Sequence, residues 1–295
     1  IFSDYDYSLA FGEDNVDKFE WNSKIRTLSF KPNLTFFVNT NNIWDFGAEL
    51  NYYIFTPADA LGISNGEATD ISLPLKYALE WSMYFNNELN FGDQFGLQYG
   101  LRGSGYSYIG PGYIYEFETI IPGQRQNVVS ETRVEGREVI QNYFNLEPRI
   151  SLKYQINQRN SIKASYNRLS QNIHLISNTT ASNPLDVWVP GTNNIKPELA
   201  NQYAIGFFKN FGINNDYETS VEAYYRTTDN QIEYIDGADL LINQYLEGDL
   251  LFGIGRAYGL EFYVKKNTGK LNGWISYTLE RSELKVNTIN NNEWY

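Results

Sequence analysis

The chain has 295 residues, a formal net charge of −12, one His and no Cys. The acidic balance excludes nucleic acid as a partner, because phosphate binding needs stripes of Lys and Arg. With no Cys and a solitary His174, nucleophilic triads and thiolate or imidazole metal centres are excluded. No run of about 18 apolar residues exists, which excludes a transmembrane helix.

Apolar and polar residues instead alternate with a period of two, the mark of strands with two unlike faces. Strands are predicted at about 1–12 and 20–38, with a break near Leu28 and Phe30 that reads as a bulge. Residues 44–54 are the clearest run: Trp44, Phe46, Ala48, Leu50, Tyr52 and Ile54 alternate with Asp45, Gly47, Glu49, Asn51 and Tyr53. Over 75–85, Leu75, Tyr77, Leu79, Trp81, Met83 and Phe85 face away from Lys76, Ala78, Glu80, Ser82 and Tyr84. Phe95, Leu97, Tyr99 and Leu101 oppose Gln94, Gly96, Gln98, Gly100 and Arg102. The run at 144–154 sets Phe144, Leu146, Pro148, Ile150, Leu152 and Tyr154 against Glu147, Arg149, Ser151, Lys153 and Gln155. Further strands fall at about 161–169, 199–209, 217–228, 252–266 and 271–284, for about 11–12 in all. Each has about ten residues or more, enough for a tilted membrane span and longer than the usual soluble strand.

Connections alternate in length. Short ones lie at 39–42, 86–93, 157–160, 210–216 and 267–270, and long ones at about 56–73, 103–142, 170–198 and 229–251. Short turns on one rim and long loops on the other characterise outer-membrane barrels, whose long loops lie outside the cell. Aromatic residues make up 16% of the chain, and Trp44, Tyr52, Phe85 and Phe95 stand near strand ends, as in a girdle at headgroup level. A mean hydropathy of −0.45 is compatible with this, since only every second strand residue meets lipid. The expected fold is therefore all-β: a transmembrane antiparallel β-barrel with a wet, polar interior. A barrel in lipid has no free edge, while this sequence opens inside a strand and stops at NNEWY; it reads as part of a longer barrel, 1–295 forming one partial barrel domain.

Three stretches are more specific: NPLDVWVPGTNNIKPELANQYAIGFFKNF (183–211), YETSVEAYYRTTDNQIEY (217–234) and GRAYGLEFYVKKNTGKLNGWISYTLERSE (255–283). They resemble the C-terminal barrel half of TonB-dependent outer-membrane receptors, especially those of the Bacteroidota. The resemblance implies a 22-stranded barrel occluded by an N-terminal plug, importing an iron chelate, cobalamin, a glycan or a peptide with energy passed on by TonB. It implies as partners the lipid bilayer, the TonB complex acting through the plug, the ligand, and a surface lipoprotein. These 295 residues show neither plug nor TonB box, so energy coupling rests on the resemblance alone. A passive porin or an adhesion barrel is the competing reading.

No catalytic site is expected. GSGYSYIG (103–110) looks like a nucleotide loop but lacks the helix that must follow. Its Tyr106 and Tyr108, with Tyr113 and Tyr115, place four tyrosines on one expected external loop, where rings could stack on a sugar or aromatic chelate or simply pack the loop. Trp188, between Pro184 and Pro190, is a further candidate ligand contact. Asp14, Asp17 and Glu20 supply oxygens for a structural Ca²⁺, though a solvated acidic loop reads as well and no other cofactor is expected. Asp4 and Asp6 share a face and suit a lumen network, as do Glu147 and Arg149.

Overall fold

The computed structural model describes residues 1–13, 17–65, 67–118, 124–177, 186–212, 215–238 and 242–295. In chain order the strands are β1 (Phe2–Glu13), β2 (Asp17–Phe30), β3 (Asn33–Asn39), β4 (Asn42–Ser64), β5 (Glu67–Ser72) and β6 (Lys76–Phe91). They continue as β7 (Phe95–Ile109), β8 (Gly112–Phe117), β9 (Val128–Val134), β10 (Val139–Asn157), β11 (Asn160–Gln171) and β12 (Ile173–Ser177). The last are β13 (Asp186–Pro190), β14 (Glu198–Phe211), β15 (Tyr217–Tyr234), β16 (Leu250–Lys266) and β17 (Gly273–Val286). One antiparallel meander runs β1-β2-β4-β6-β7-β10-β11-β14-β15-β16-β17, and β3 and β5 add to β4. β1 and β17 do not pair with each other, so the described sheet is an open wall. Among the described residues no helix is long and apolar enough to cross a membrane.

Every alternating run expected from sequence lies in this wall, and the outward sets emerge as a continuous apolar surface. Leu50, Trp81, Met83, Phe144, Ile205, Leu260 and Leu279 are all exposed. Directly opposed residues share a face, so the register shows rows: Tyr166, Tyr203, Tyr225 and Tyr258 lie across from one another on β11, β14, β15 and β16. Their rings pair at 4.9 Å (Tyr166–Tyr203) and 6.3 Å (Tyr225–Tyr258). At the short-turn rim, Trp44 stacks on Phe46 and Phe211 on Tyr217. These are the two aromatic girdles of a membrane barrel, with the apolar belt between them.

On that belt Gly105 lies opposite both Trp81 and Phe144, whose rings close over it at 6.1 Å. A Cβ there would sit 2.3 Å from the Trp81 indole, so the glycine exists to be covered by an aromatic ring. Gly105→Val should cost about 1–3 kcal/mol by overpacking. A lowered urea midpoint for unfolding from lipid vesicles would register it, and an unchanged midpoint would contradict it.

The strands along the meander do have the expected ten residues or more, and some reach well past a membrane span: β4 has 23 and β10 has 19. Pairing continues beyond the apolar belt, where hydrophobic alternation fades but the backbone ladder does not. The structure corrects several expectations. The break near Leu28 and Phe30 is no bulge; it is the gap at Lys31 and Pro32 between β2 and β3, where Pro cannot donate to the ladder. The β2–β4 register shifts instead between Asn22 and Lys24. The connection expected at 86–93 tightens to residues 92–94 because β6 runs to Phe91. Asn side chains organise the short turns: Asn157 Oδ1 accepts from the N–H groups of Arg159 (2.9 Å) and Asn160 (3.0 Å), and Asn39 Oδ1 from that of Asn41 (2.8 Å).

Candidate functional site

The described parts of the long connections fold into a layer over the loop rim. β8 and β9 form one hairpin, β12 and β13 another, and β5 folds back on β4. Their apolar residues make the chain's main core: Ile176, Val189, Ile195, Leu246 and Leu250 bury themselves against Trp21, Ala58 and Ala60 of the rising wall.

Two buried carboxylates tie this layer together. Glu247 accepts hydrogen bonds from Lys76 Nζ (3.0 Å), Thr192 Oγ1 (3.0 Å) and Asn194 Nδ2 (2.7 Å). Burial works against the Lys76 ammonium, but the adjacent Glu247 outweighs it and raises the pKa above the ordinary lysine value. Asp249, fully buried, accepts from Arg125 Nε and Nη2 at 2.6 Å each and from Asn243 Nδ2 at 3.1 Å. The planar guanidinium fork matches the carboxylate, the strongest geometry for such a pair. A third node lies on the wall, where Glu80 accepts from Tyr53 Oη (2.9 Å) and Asn172 Nδ2 (2.8 Å). Sequence reasoning missed Glu247 and Asp249 inside an expected loop. The available signal was two acids set among Leu246, Leu250 and Leu251.

Tyr106 and Tyr108 stand on β7, not in a loop, and are 1% and 2% exposed. The Tyr106 hydroxyl donates to Gly191 O at 3.2 Å. Tyr113 and Tyr115 are stacked on β8 at 6.0 Å, and Tyr115 meets Tyr245 edge-on at 5.3 Å. Burial pushes the Tyr115 phenol up to about 12. The structure therefore brings Tyr108, Tyr113 and Tyr115 together around a small cavity of about 40 Å³, with Trp21, Lys76 and Leu246 on its other sides. That volume holds little more than a water molecule or two. Trp188 lies apart, half-buried and edge-on to Tyr5 at 5.9 Å.

Asp14, like Pro184, lies outside the described residues. Asp17 Oδ1 accepts from Asn65 N at 3.3 Å, and Glu20 pairs with Lys18 at 2.7 Å. Among the described residues no group of three His, Cys, Asp or Glu converges as for a metal ion. Asp4 and Asp6 do share a face, but the outward one: Asp4 opposes Arg26, which opposes Ile54. They share Lys24 at 3.2 and 3.5 Å. Glu147 faces inward and accepts from Ser104 Oγ (2.6 Å) and Ser170 Oγ (2.7 Å), neutral partners rather than a cation.

His174, on β12 opposite Val189, is buried and its pKa falls from 6.5 to about 4. Burial is the cause, so the folded loop layer binds fewer protons than the open one. The stability His174 contributes is complete above pH 6.5 and is lost as pH falls toward 4. Between pH 7.5 and 5 the layer should lose about 2 kcal/mol. Amide exchange over residues 173–177 should accelerate accordingly, and His174→Phe should abolish that acceleration; equal pH dependence in both proteins would refute the assignment.

A continuous antiparallel wall with a lipid-type outer face, a polar inner face and a folded layer over one rim defines a piece of a large outer-membrane-type β-barrel. The family described as TonB dependent receptor-like, beta-barrel matches residues 2–294, and the chain belongs to it. Among solved structures it resembles the FrpB iron transporter from Neisseria meningitidis (F3-3 variant) with a TM-score of 0.59 at 12% identity, over 94% of this chain and 40% of that one. It also resembles the copper transporter OprC, with a TM-score of 0.65 at 11% identity, over 97% and 44% of the two chains. The RagAB peptide transporter gives a TM-score of 0.52 at 12% identity over 92% and 31%. The chain thus spans less than half the length of these structures. No curated protein matches the sequence.

Proposed function

We propose that this chain forms part of the wall and external loop layer of an outer-membrane importer that takes up a bulky nutrient with energy delivered by TonB. The family match over residues 2–294 carries this reading. The wall supports it: one face is apolar between aromatic girdles, while the other carries Glu80, Arg102, Glu147, Glu222 and Glu261. Similar structures are transporters of iron, copper and peptide, in keeping with a bulky cargo such as an iron chelate, cobalamin, a glycan or a peptide. TonB would act through a plug supplied by the whole protein, and a surface lipoprotein is a further proposed partner. The tyrosine cluster at Tyr108, Tyr113 and Tyr115 and the ring of Trp188 are the proposed ligand-side contacts of the loop layer, reached when the layer opens.

Uptake by cells carrying the intact receptor, compared in strains with and without functional TonB, tests this. Accumulation that stops without TonB while surface binding persists is the expected outcome. Accumulation that continues undiminished would overturn active import in favour of a passive pore.

A further inference from the structure

The outward face of the wall changes character immediately above the upper tyrosine row. One position further toward the loop rim, the register aligns Arg168, Asn201, Thr227, Arg256 and Glu283 on β11, β14, β15, β16 and β17. Arg281 adjoins Tyr258 at the level of the tyrosines, and Lys285 lies one position above Glu283, opposite Ile254. Four cations therefore border the apolar belt on this side, against Glu283 and Asp229 as the acids of these rows. An apolar belt flanked by tyrosine needs no such band to hold its depth.

Their arrangement is built rather than incidental. Glu283, itself buried, clamps two guanidiniums: Arg256 Nε at 2.6 Å and Arg281 Nη2 at 2.7 Å. Arg256 is also stacked on the Trp294 ring at 4.2 Å. One carboxylate cannot neutralise two such cations, and the Arg281 side chain is 67% exposed. Arg168 carries a buried Nε with no hydrogen-bond partner, and among the described residues neither it nor Lys285 has an ion pair. Three strand spacings, about 14 Å, separate Arg168 from Arg256. Because the long loops mark the outer side, this band sits at the headgroup level of the outer leaflet. Forked guanidiniums that outnumber the one carboxylate beside them match phosphate oxygens at that depth.

We propose that Arg168, Arg256 and Arg281 form a docking surface for a phosphorylated lipid headgroup of the outer leaflet, with Glu283 and Trp294 holding the guanidiniums outward. The inference rests on the membrane-spanning reading. The probe is a fluorescent glycolipid bearing phosphate monoesters, with its dephosphorylated counterpart, titrated against the intact receptor in detergent. Each interfacial cation contributes roughly fivefold in affinity. Replacing all three, R168Q/R256Q/R281Q, should weaken binding of the phosphorylated lipid about a hundredfold and leave the dephosphorylated one unaffected. R168K/R256K/R281K, which keeps the charge, should bind within about tenfold of the original. If the triple Gln variant does not assemble, R281Q alone, at the exposed position, should still bind roughly fivefold more weakly. Equal affinity for both lipids, an unchanged affinity in the Gln variants, or complete displacement by millimolar inorganic phosphate would overturn the proposal. Recovery of the unmodified receptor without detergent would instead defeat the membrane reading, before any lipid is added.

Discussion

Glu247→Ala should release the loop layer from the wall while leaving the membrane strands intact. The substitution strands the buried Lys76 ammonium and takes the acceptor from Thr192 and Asn194 together. Leaving one partner of a buried pair unmatched costs about 3–5 kcal/mol, more than any single apolar contact in the layer supplies. Amide exchange over 186–197 should accelerate by at least about a hundredfold, with protection over 257–266 unchanged. Lys76→Met combined with Glu247→Met should recover much of that protection, because removing both charges removes the desolvation penalty as well. Unaltered exchange in Glu247→Ala would mean that the carboxylate does not hold the layer.

Leu260→Arg should impair assembly of the wall itself. Leu260 is exposed on the outward face, opposite Ala223 and Leu279. It stands six residues from the β16 end at Lys266, which places it roughly 15 Å above the short-turn rim for a tilted strand. That is close to the bilayer midplane, where an arginine on a barrel costs about 2–4 kcal/mol. Its neighbour Glu261 points inward, so Glu261→Arg should be nearly neutral and could pair with Glu222, which lies directly opposite. Urea unfolding from vesicles should separate the two variants clearly. Similar midpoints would mean that the two faces do not differ in solvent.

The wall was legible because lipid imposes a strict demand on every second residue. Trp81, Met83 and Phe85, or Phe144, Leu146 and Ile150, show the outward face without knowledge of the partner strand. Short turns were legible through asparagine and glycine. The loop layer was not, since its nodes join residues remote in sequence: Lys76 and Glu247 are 171 positions apart. Nor does alternation signal where a strand ends above the membrane, so Tyr106 and Tyr108 looked like loop residues while belonging to a ladder. The outward position of Asp4 and Asp6 was hidden for the same reason: above the belt an outward residue meets water and tolerates charge, so polarity no longer tells the faces apart.

Since the chain has no Cys, single cysteines can be introduced and spin-labelled without background. Labels at Tyr258, Leu260, Phe262 and Val264 should collide with lipid-dissolved oxygen. Labels at Gly259, Glu261 and Tyr263 should collide with a water-soluble nickel chelate, giving a period of two along β16 in the membrane-embedded receptor. Uniform access of the nickel chelate to all seven positions would contradict a membrane-spanning wall.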